Sequence, residues 1–187
     1  MAQKRKGWNG LISGFSASDL VFLDESGCNT DMTRRYAYSF GGSRAVDSTP
    51  LSKPKNTTIL SSIQLNGTLH YTTFSGGTTV EKFKRYLETD LLPHLNGDSI
   101  LIMDNMKSHH AKAVKNLLDS SGIRYIYLPP YSPDLNPIEK LWSKVKALLR
   151  KFKARTLDAL PNAIQNAFHS VTVSDCSGWF RFCGYSL

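Results

Sequence analysis

Cysteine is scarce in these 187 residues: there are three, Cys28, Cys176 and Cys183. They form neither a CxxC pair nor a dense framework, which excludes a disulfide-stapled secreted scaffold and a zinc ribbon. Cys176 and Cys183 read as reduced, structural thiols. Long apolar runs are lacking as well, and none approaches the roughly 18 residues that a membrane helix needs. The first residues, Met1 to Trp8, are basic but no apolar segment follows them, so they do not have the form of a signal peptide. Acidic residues are few, 15 against 23 Lys and Arg, for a formal net charge of +8. A polyanion is the first partner to consider for so basic a chain. What is present is ordinary, with 41% hydrophobic and 20% charged residues. That composition describes one soluble, intracellular globular domain large enough to fold without staples.

Residues 1–18 are polar, contain Gly7, Gly10 and Gly14, and read as a tail or linker remnant. Leu20–Leu23 is a continuous apolar run, the mark of a buried strand, and Asp24-Glu25-Ser26-Gly27 reads as the turn that ends it. Residues 28–56 hold Arg34, Arg35, Arg44, Lys53 and Lys55 among Gly, Ser, Thr and Pro, and form a long basic loop of the kind that is usually functional. Two strands, 57–65 and 68–74, flank Asn66-Gly67, a strong hairpin signal in which both central positions take positive φ. Apolar residues at Val80, Phe83, Leu87 and Leu91 predict a helix over 79–92. A second apolar strand, 99–103, ends at Asp104-Asn105, a helix spans about 110–121, and a strand follows at 123–128. Pro129, Pro130, Pro133 and Pro137 stiffen the next loop. An amphipathic helix then starts at Asn136-Pro137, with Ile138, Leu141, Trp142, Val145, Leu148, Leu149 and Phe152 on its expected buried side. A further helix near 157–171 and an aromatic C-terminus close the chain. The order β-β-β-α-β-α-β-α-α is an α/β fold, a mixed sheet flanked by helices.

Asp24 and Asp104 each end an all-apolar strand. If the strands are parallel neighbours, both carboxylates lie on the edge where α/β proteins place their sites. Glu139 follows Asp104 after 34 intervening residues, in the first turn of the helix beyond the proline loop. Three hard oxygen donors without Cys or a third His suit Mg²⁺ or Mn²⁺ rather than zinc. Each residue also has a plainer reading. Asp24 and Asp104 suit turns, and Asn136, Pro137 and Glu139 suit the cap, first and third positions of a helix start.

Taken together, Asp24-Glu25-Ser26-Gly27 after an apolar strand, Met103-Asp104-Asn105 with His109, and Leu128-Pro-Pro-Tyr-Ser-Pro-Asp-Leu-Asn-Pro-Ile-Glu139 with Trp142 resemble the catalytic domain of DDE transposases. The likeness is to the mariner-type superfamily, in particular its bacterial insertion-sequence branch, and it covers roughly residues 19–187. It implies an RNase H-like fold, with Asp24, Asp104 and Glu139 as a catalytic, metal-binding triad holding two Mg²⁺ ions, or Mn²⁺ as a substitute. It further implies cleavage of double-stranded DNA at element ends, strand transfer into a TA dinucleotide target, and a homodimer in which the loop at 28–56 reaches toward the partner. Asn105 and His109 are expected to orient the site or contact phosphate, and the place of action to be the cytoplasm at the bacterial nucleoid. Full-length members carry an N-terminal helix-turn-helix region. Only 23 residues precede Asp24 here. The family's DNA-recognition domain is therefore expected to be missing, supplied by an upstream-frame helix-turn-helix protein or lost by truncation.

From Lys140 to Arg155 lie seven basic residues and no acidic one. Lys140, Lys144, Lys146 and Arg150, with Arg34 and Arg35 of the long loop, are candidate contacts to a phosphate backbone. A non-catalytic DNA-binding fragment that regulates full-length transposase by mixed dimerisation, and an RNase H-like nuclease that cuts without transposing, are the alternatives.

Overall fold

The computed structural model describes residues 2–34, 36–51 and 54–186. Its centre is a five-stranded mixed sheet of β1 (Leu20–Cys28), β2 (Thr57–Gln64), β3 (Leu69–Ser75), β4 (Ile100–Met103) and β5 (Arg124–Tyr127). The strands lie in the order β3-β2-β1-β4-β5. β1 pairs antiparallel with β2 and parallel with β4, while β4 and β5 run parallel.

Strand alternation sorts the core into two layers. Leu20 and Phe22 of β1, with Ile100 and Ile102 of β4, face one layer. Val21 and Leu23, with Leu101 and Met103, face the other. The first layer is closed by α1 (Ala2–Ile12), α4 (Ile138–Phe152), α5 (Ala159–His169) and α6 (Val173–Phe182), and the second by α2 (Val80–Tyr86) and α3 (Lys112–Ser121). No helix among the described residues is long and apolar enough to cross a membrane. The three cysteines are buried and free, and burial pushes each thiol up to about 11.

Several local expectations need correction. Asp24–Gly27 is not a turn: β1 runs on to Cys28 because β2 pairs with it along its whole length, Cys28 lying opposite Thr57. The hairpin turn places only Gly67 at positive φ (87°); the Gly67 N–H donates to Gln64 O and Gln64 N–H to Thr68 O. This is a type I turn closed by a glycine bulge, not the two-residue turn expected from Asn-Gly. The helix after β3 is α-helical only to Tyr86. A π turn over Leu87–Leu91 and a 3₁₀ turn over Leu92–His94 follow, where Pro93 has no N–H to continue the ladder.

The largest difference is at the two ends of the chain. Residues 2–12 are a helix, not a tail: Trp8 is 3% exposed, Ile12 is buried beside it, and the Trp8 indole N–H donates to the Tyr185 hydroxyl at 3.3 Å. The aromatic C-terminus is itself helical. α6 begins with Thr172 and Asp175 in a reciprocal capping box, a signal present in Thr172-Val-Ser-Asp175, and its Phe180 meets Phe22 edge-on at 5.4 Å.

Trp8→Ala therefore removes a core side chain. It should destabilise the chain by about 3 kcal/mol or more, measured as a shift in the chemical denaturation midpoint. A tail residue would give a change within about 0.5 kcal/mol.

Candidate active site

The parallel register pairs Leu23 with Met103, so Asp24 and Asp104 are the next residues on neighbouring strands. Asp24 continues the face of Leu20 and Phe22, toward α4. Glu25 points the other way, and its carboxylate accepts a hydrogen bond from Thr78, just ahead of α2. β1 itself continues beyond Asp24, so Asp24 stands at the end of the parallel pairing rather than at the end of its strand. The proline loop then crosses back over this edge. Leu128 N–H donates to Met103 O at 2.8 Å, and the Asn105 side-chain amide donates to Leu128 O. These bonds hold the loop beside Asp104 and deliver α4 against Asp24. Asp24, Asp104 and Glu139 thereby line one open cavity of about 630 Å³, together with Asn136, Trp142 and the proline loop.

The three carboxylates stand in different surroundings. Asp24 is 8% exposed, and its partner across β1–β2, Ser61, is fully buried. Asp24 Oδ1 accepts the Glu25 N–H at 2.7 Å; Oδ2 accepts the Trp142 indole N–H at 3.4 Å and faces the Asn136 amide nitrogen at 3.5 Å. Burial is the main reason its carboxyl is pushed up to about 7, and the Asp104 and Glu139 charges add to it against the pull of those N–H groups. Asp104 goes the other way. Its partial burial acts upward, but the His109 ring, the Met106 N–H and the charges of His109 and His110 outweigh this and hold it below the ordinary carboxylate value. His109 Nδ1 lies 2.8 Å from Asp104 Oδ1. Glu139 is exposed on the first turn of α4 and keeps its carboxylate toward the cavity.

Two expectations change here. The helix start is not a capping box: Pro137 occupies the cap position, no side chain caps the helix, and Asn136 is buried against Asp24 instead. Asn136 and Trp142 are thus the site residues that the pattern reading did not assign. Their spacing, three residues to either side of Glu139, is the signal that could have found them, since such positions neighbour one another on a helix. His109 is fully buried and stacked on Phe83 at 4.2 Å, so it steadies Asp104 and does not reach a phosphate. Asn105 bridges Leu128 O and the His110 ring.

The donors have the chemistry for a hard cation: carboxylate oxygens, and the Asn136 Oδ1, which is buried in the same cavity wall without a hydrogen-bond partner. As the side chains stand, no three carboxylate, imidazole or thiol groups among the described residues converge tightly enough to enclose one ion.

The basic candidates divide. Lys144 is committed to α6, with its ammonium on Asp175 at 2.5 Å and Ser170 O at 2.9 Å. It is a cross-link between helices, not a free phosphate contact. Lys140 lies over the Phe182 ring at 3.8 Å. Lys146 is half-buried, with its charge near Cys28. Arg150 is half-buried on the same helix, and Arg34 is exposed on the long loop. Arg35 lies outside the described residues. Arg155 donates to Thr30 O and Met32 O, both at 3.1 Å, tying the root of the long loop to the chain beyond α4.

The Asp24 carboxyl yields a signed stability effect. Folded, it keeps its proton to about pH 7; unfolded, it loses it near 3.8. Between these values the unfolded chain binds fewer protons, so this group costs stability as pH rises through the window. Without added metal, the gain in melting temperature of Asp24→Asn over the parent chain should therefore grow between about pH 5 and about pH 8. A gain that is constant or shrinks over that range would contradict the shift.

Comparison with known proteins bears on the family and the fold. A family model described as DDE superfamily endonuclease matches residues 19–161. The Tc1 transposase of Caenorhabditis elegans is 27% identical over 97 residues, 50% of this chain and 36% of that protein. The fold superposes on a pre-cleavage Mos1 transpososome with a TM-score of 0.81 at 18% identity, covering 97% of this chain and 58% of that one. It also superposes on the catalytic domain of the Mos1 mariner transposase with a TM-score of 0.73 at 16% identity, covering 96% and 85%. Mos1 structures have been solved with Mg and with Mn. The segment shared with Tc1 transposase is about a third of that protein, and this chain covers little more than half of the Mos1 transpososome chain. The likeness to Mos1 carries the fold, a mixed sheet of the RNase H-like type. With its family match spanning most of its length, the chain belongs to the DDE superfamily endonucleases.

Proposed function

We propose that this chain is the catalytic domain of a DNA transposase of the mariner type, in its bacterial insertion-sequence branch, acting in the cytoplasm at the nucleoid. The observation that carries the reading is the in-register placement of Asp24 and Asp104 on parallel β1 and β4, with Glu139 brought to the same cavity by α4. The reaction is cleavage of a phosphodiester at an element end and transfer of the freed 3′ strand into target DNA at a TA dinucleotide.

Asp24, Asp104 and Glu139 are the residues that would hold Mg²⁺ or Mn²⁺, two ions in the full site. Such cations, when bound, lower the pKa of a coordinated water and neutralise charge on the entering and leaving oxygens. The chain's own residues supply the frame. Asn136 and Trp142 hold Asp24 by donating to Oδ2, and His109 fixes the rotation of Asp104 from a fully buried position. Glu139 rides on a helix whose Leu141, Val145 and Leu149 are buried, so the backbone that carries it is as rigid as the core while its exposed side chain can turn. Lys146, Arg150, Lys140 and the exposed Arg34 offer positive charge to the phosphate backbone.

In this reading the long loop serves the active homodimer. Tyr36, Tyr38, Phe40, Val46 and Leu51 are almost wholly exposed along it, an apolar arm suited to cover by a second copy. In this reading a helix-turn-helix protein is a further partner, serving recognition of the element ends.

The deciding experiment is Glu139→Gln. The substitution keeps shape and removes one negative charge. Nicking of plasmid DNA in Mn²⁺ should fall on the order of a hundredfold or more while the melting temperature stays within a degree or so. Excess chelator should abolish nicking by the parent chain. Nicking retained by the Gln variant, or in chelator, would remove Glu139 and the cation from the mechanism.

DNA binding by this chain alone should be weak, nearly independent of sequence and steeply salt-dependent, because cationic side chains release counterions from phosphate. Lys146→Ala should reduce the slope of log affinity against log salt by about one unit. Lys144→Ala should leave the slope unchanged, since that ammonium is already paired. Filter binding across a salt series checks both.

A further inference from the structure

Among the described residues only two other than glycine take a left-handed backbone, Lys153 and Tyr131. Lys153 (φ 52°) is accounted for, because it ends α4 and its N–H donates to Leu149 O. Tyr131 (φ 56°) ends no helix. A Cβ in this region crowds the following carbonyl, so the conformation costs free energy and persists only where the surroundings impose it.

The surroundings do impose it. Upstream, Leu128 is pinned by Met103 and Asn105; downstream, Ser132 is buried, Leu135 O accepts the Tyr185 hydroxyl at 2.6 Å, and Asn136 is packed against Asp24. Pro129, Pro130 and Pro133 limit φ between these anchors. The loop is held at both ends, yet its one aromatic side chain is left 84% exposed, on the wall of the cavity that contains the three carboxylates. Neither the fold nor the placement of the carboxylates uses that ring.

We propose that Tyr131 is a base-stacking residue: its ring receives the nucleobase beside the phosphate in the cavity, once that base is out of the duplex stack. The inference rests on the reading of the chain as a DNA-cleaving domain. It deepens that reading by assigning the cavity a nucleotide with an unpaired base. A phosphate among the carboxylates brings the bases flanking it to the cavity wall, and an aromatic face stacks on any base. Inside a continuous duplex those faces are covered by neighbouring pairs, so the ring engages a base that is frayed, overhanging or extruded. A ring carried on a loop anchored at both ends costs little backbone freedom when the base arrives.

The test uses protein with Ca²⁺ in place of Mg²⁺ or Mn²⁺ and two DNA duplexes, one with a fluorescent adenine analogue in a single-stranded overhang, the other blunt with the analogue in its middle. The parent chain and Tyr131→Phe should change the fluorescence of the overhang analogue on binding. Tyr131→Ala and Tyr131→Gly should lose that change and bind the overhang DNA on the order of tenfold more weakly. All four proteins should bind the blunt duplex equally, through phosphate contacts. Gly relieves the left-handed backbone, so Tyr131→Gly should melt at or above the parent temperature, which separates loss of stacking from loss of fold. If the Ala and Gly variants keep the full fluorescence change and affinity, Tyr131 does not stack on a base and the proposal is overturned. If the parent chain binds neither DNA, the DNA-cleaving reading itself falls, and this proposal with it.

Discussion

Burying the Asp24 carboxylate is the constraint around which the cavity is built. A carboxylate removed from water is costly unless N–H groups or a cation face it. Here the backbone N–H of Glu25, the indole of Trp142 and the amide of Asn136 face it, and together they do not cancel the cost, since the carboxyl remains pushed up to about 7. Two of these three groups come from the far side of the chain, more than a hundred residues away. The docking of α4 and the path of the proline loop are thus bound up with one charge on one strand.

The neighbouring carboxylates are handled differently, and the differences are useful to a cation site. Asp104 is kept ionised by the His109 ring, which is itself locked between Phe83 and the Tyr127 hydroxyl bond to its carbonyl. Glu139 is exposed and adjustable on a rigid helix. One carboxylate is therefore pushed up to about 7 and only partly ionised near neutral pH, one is held charged, and one is free to turn. A divalent cation would convert the first into a second full charge and offset the repulsion among all three.

Positive charge in the chain also has two uses. Lys144, Lys153 and Arg155 close contacts within the fold, to Asp175 and Ser170, to Asp47, and to Thr30 and Met32. In this way the middle of α4 holds α6, and the residues just after α4 hold parts of the long loop. Lys146 and the exposed Arg34 are among the charges left for a polyanion. A run of basic residues on one helix is thus a mixture of internal links and outward charge, and sequence spacing does not separate the two.

Local patterning in the sequence determined the five sheet-forming segments and, to within a few residues, the spans of α3, α4 and α5, and a motif resemblance singled out the three carboxylates. The strands and helices follow from local patterning, apolar runs for β1 and β4 and the 3.6-residue period for α4, whereas the carboxylates, whose spacing alone also suits turns and a helix start, stand out only through the resemblance of their motifs to a known family. The sequence did not reveal that Asp24 lies within a strand, because the extension of β1 to Cys28 depends on pairing with β2, where Asp24 lies opposite Ser61, a distant residue in the chain. Nor did it show that residues 2–12 are part of the core. Their few apolar side chains are placed only when α6 and Tyr185 bring a surface for Trp8 to cover. Asn136 looked like a helix cap by position, and the tertiary structure turned it to Asp24 instead. The reason is the same in each case: propensity and periodicity act over a few residues, while burial of a charge or a ring is decided by whichever distant segment arrives to cover it.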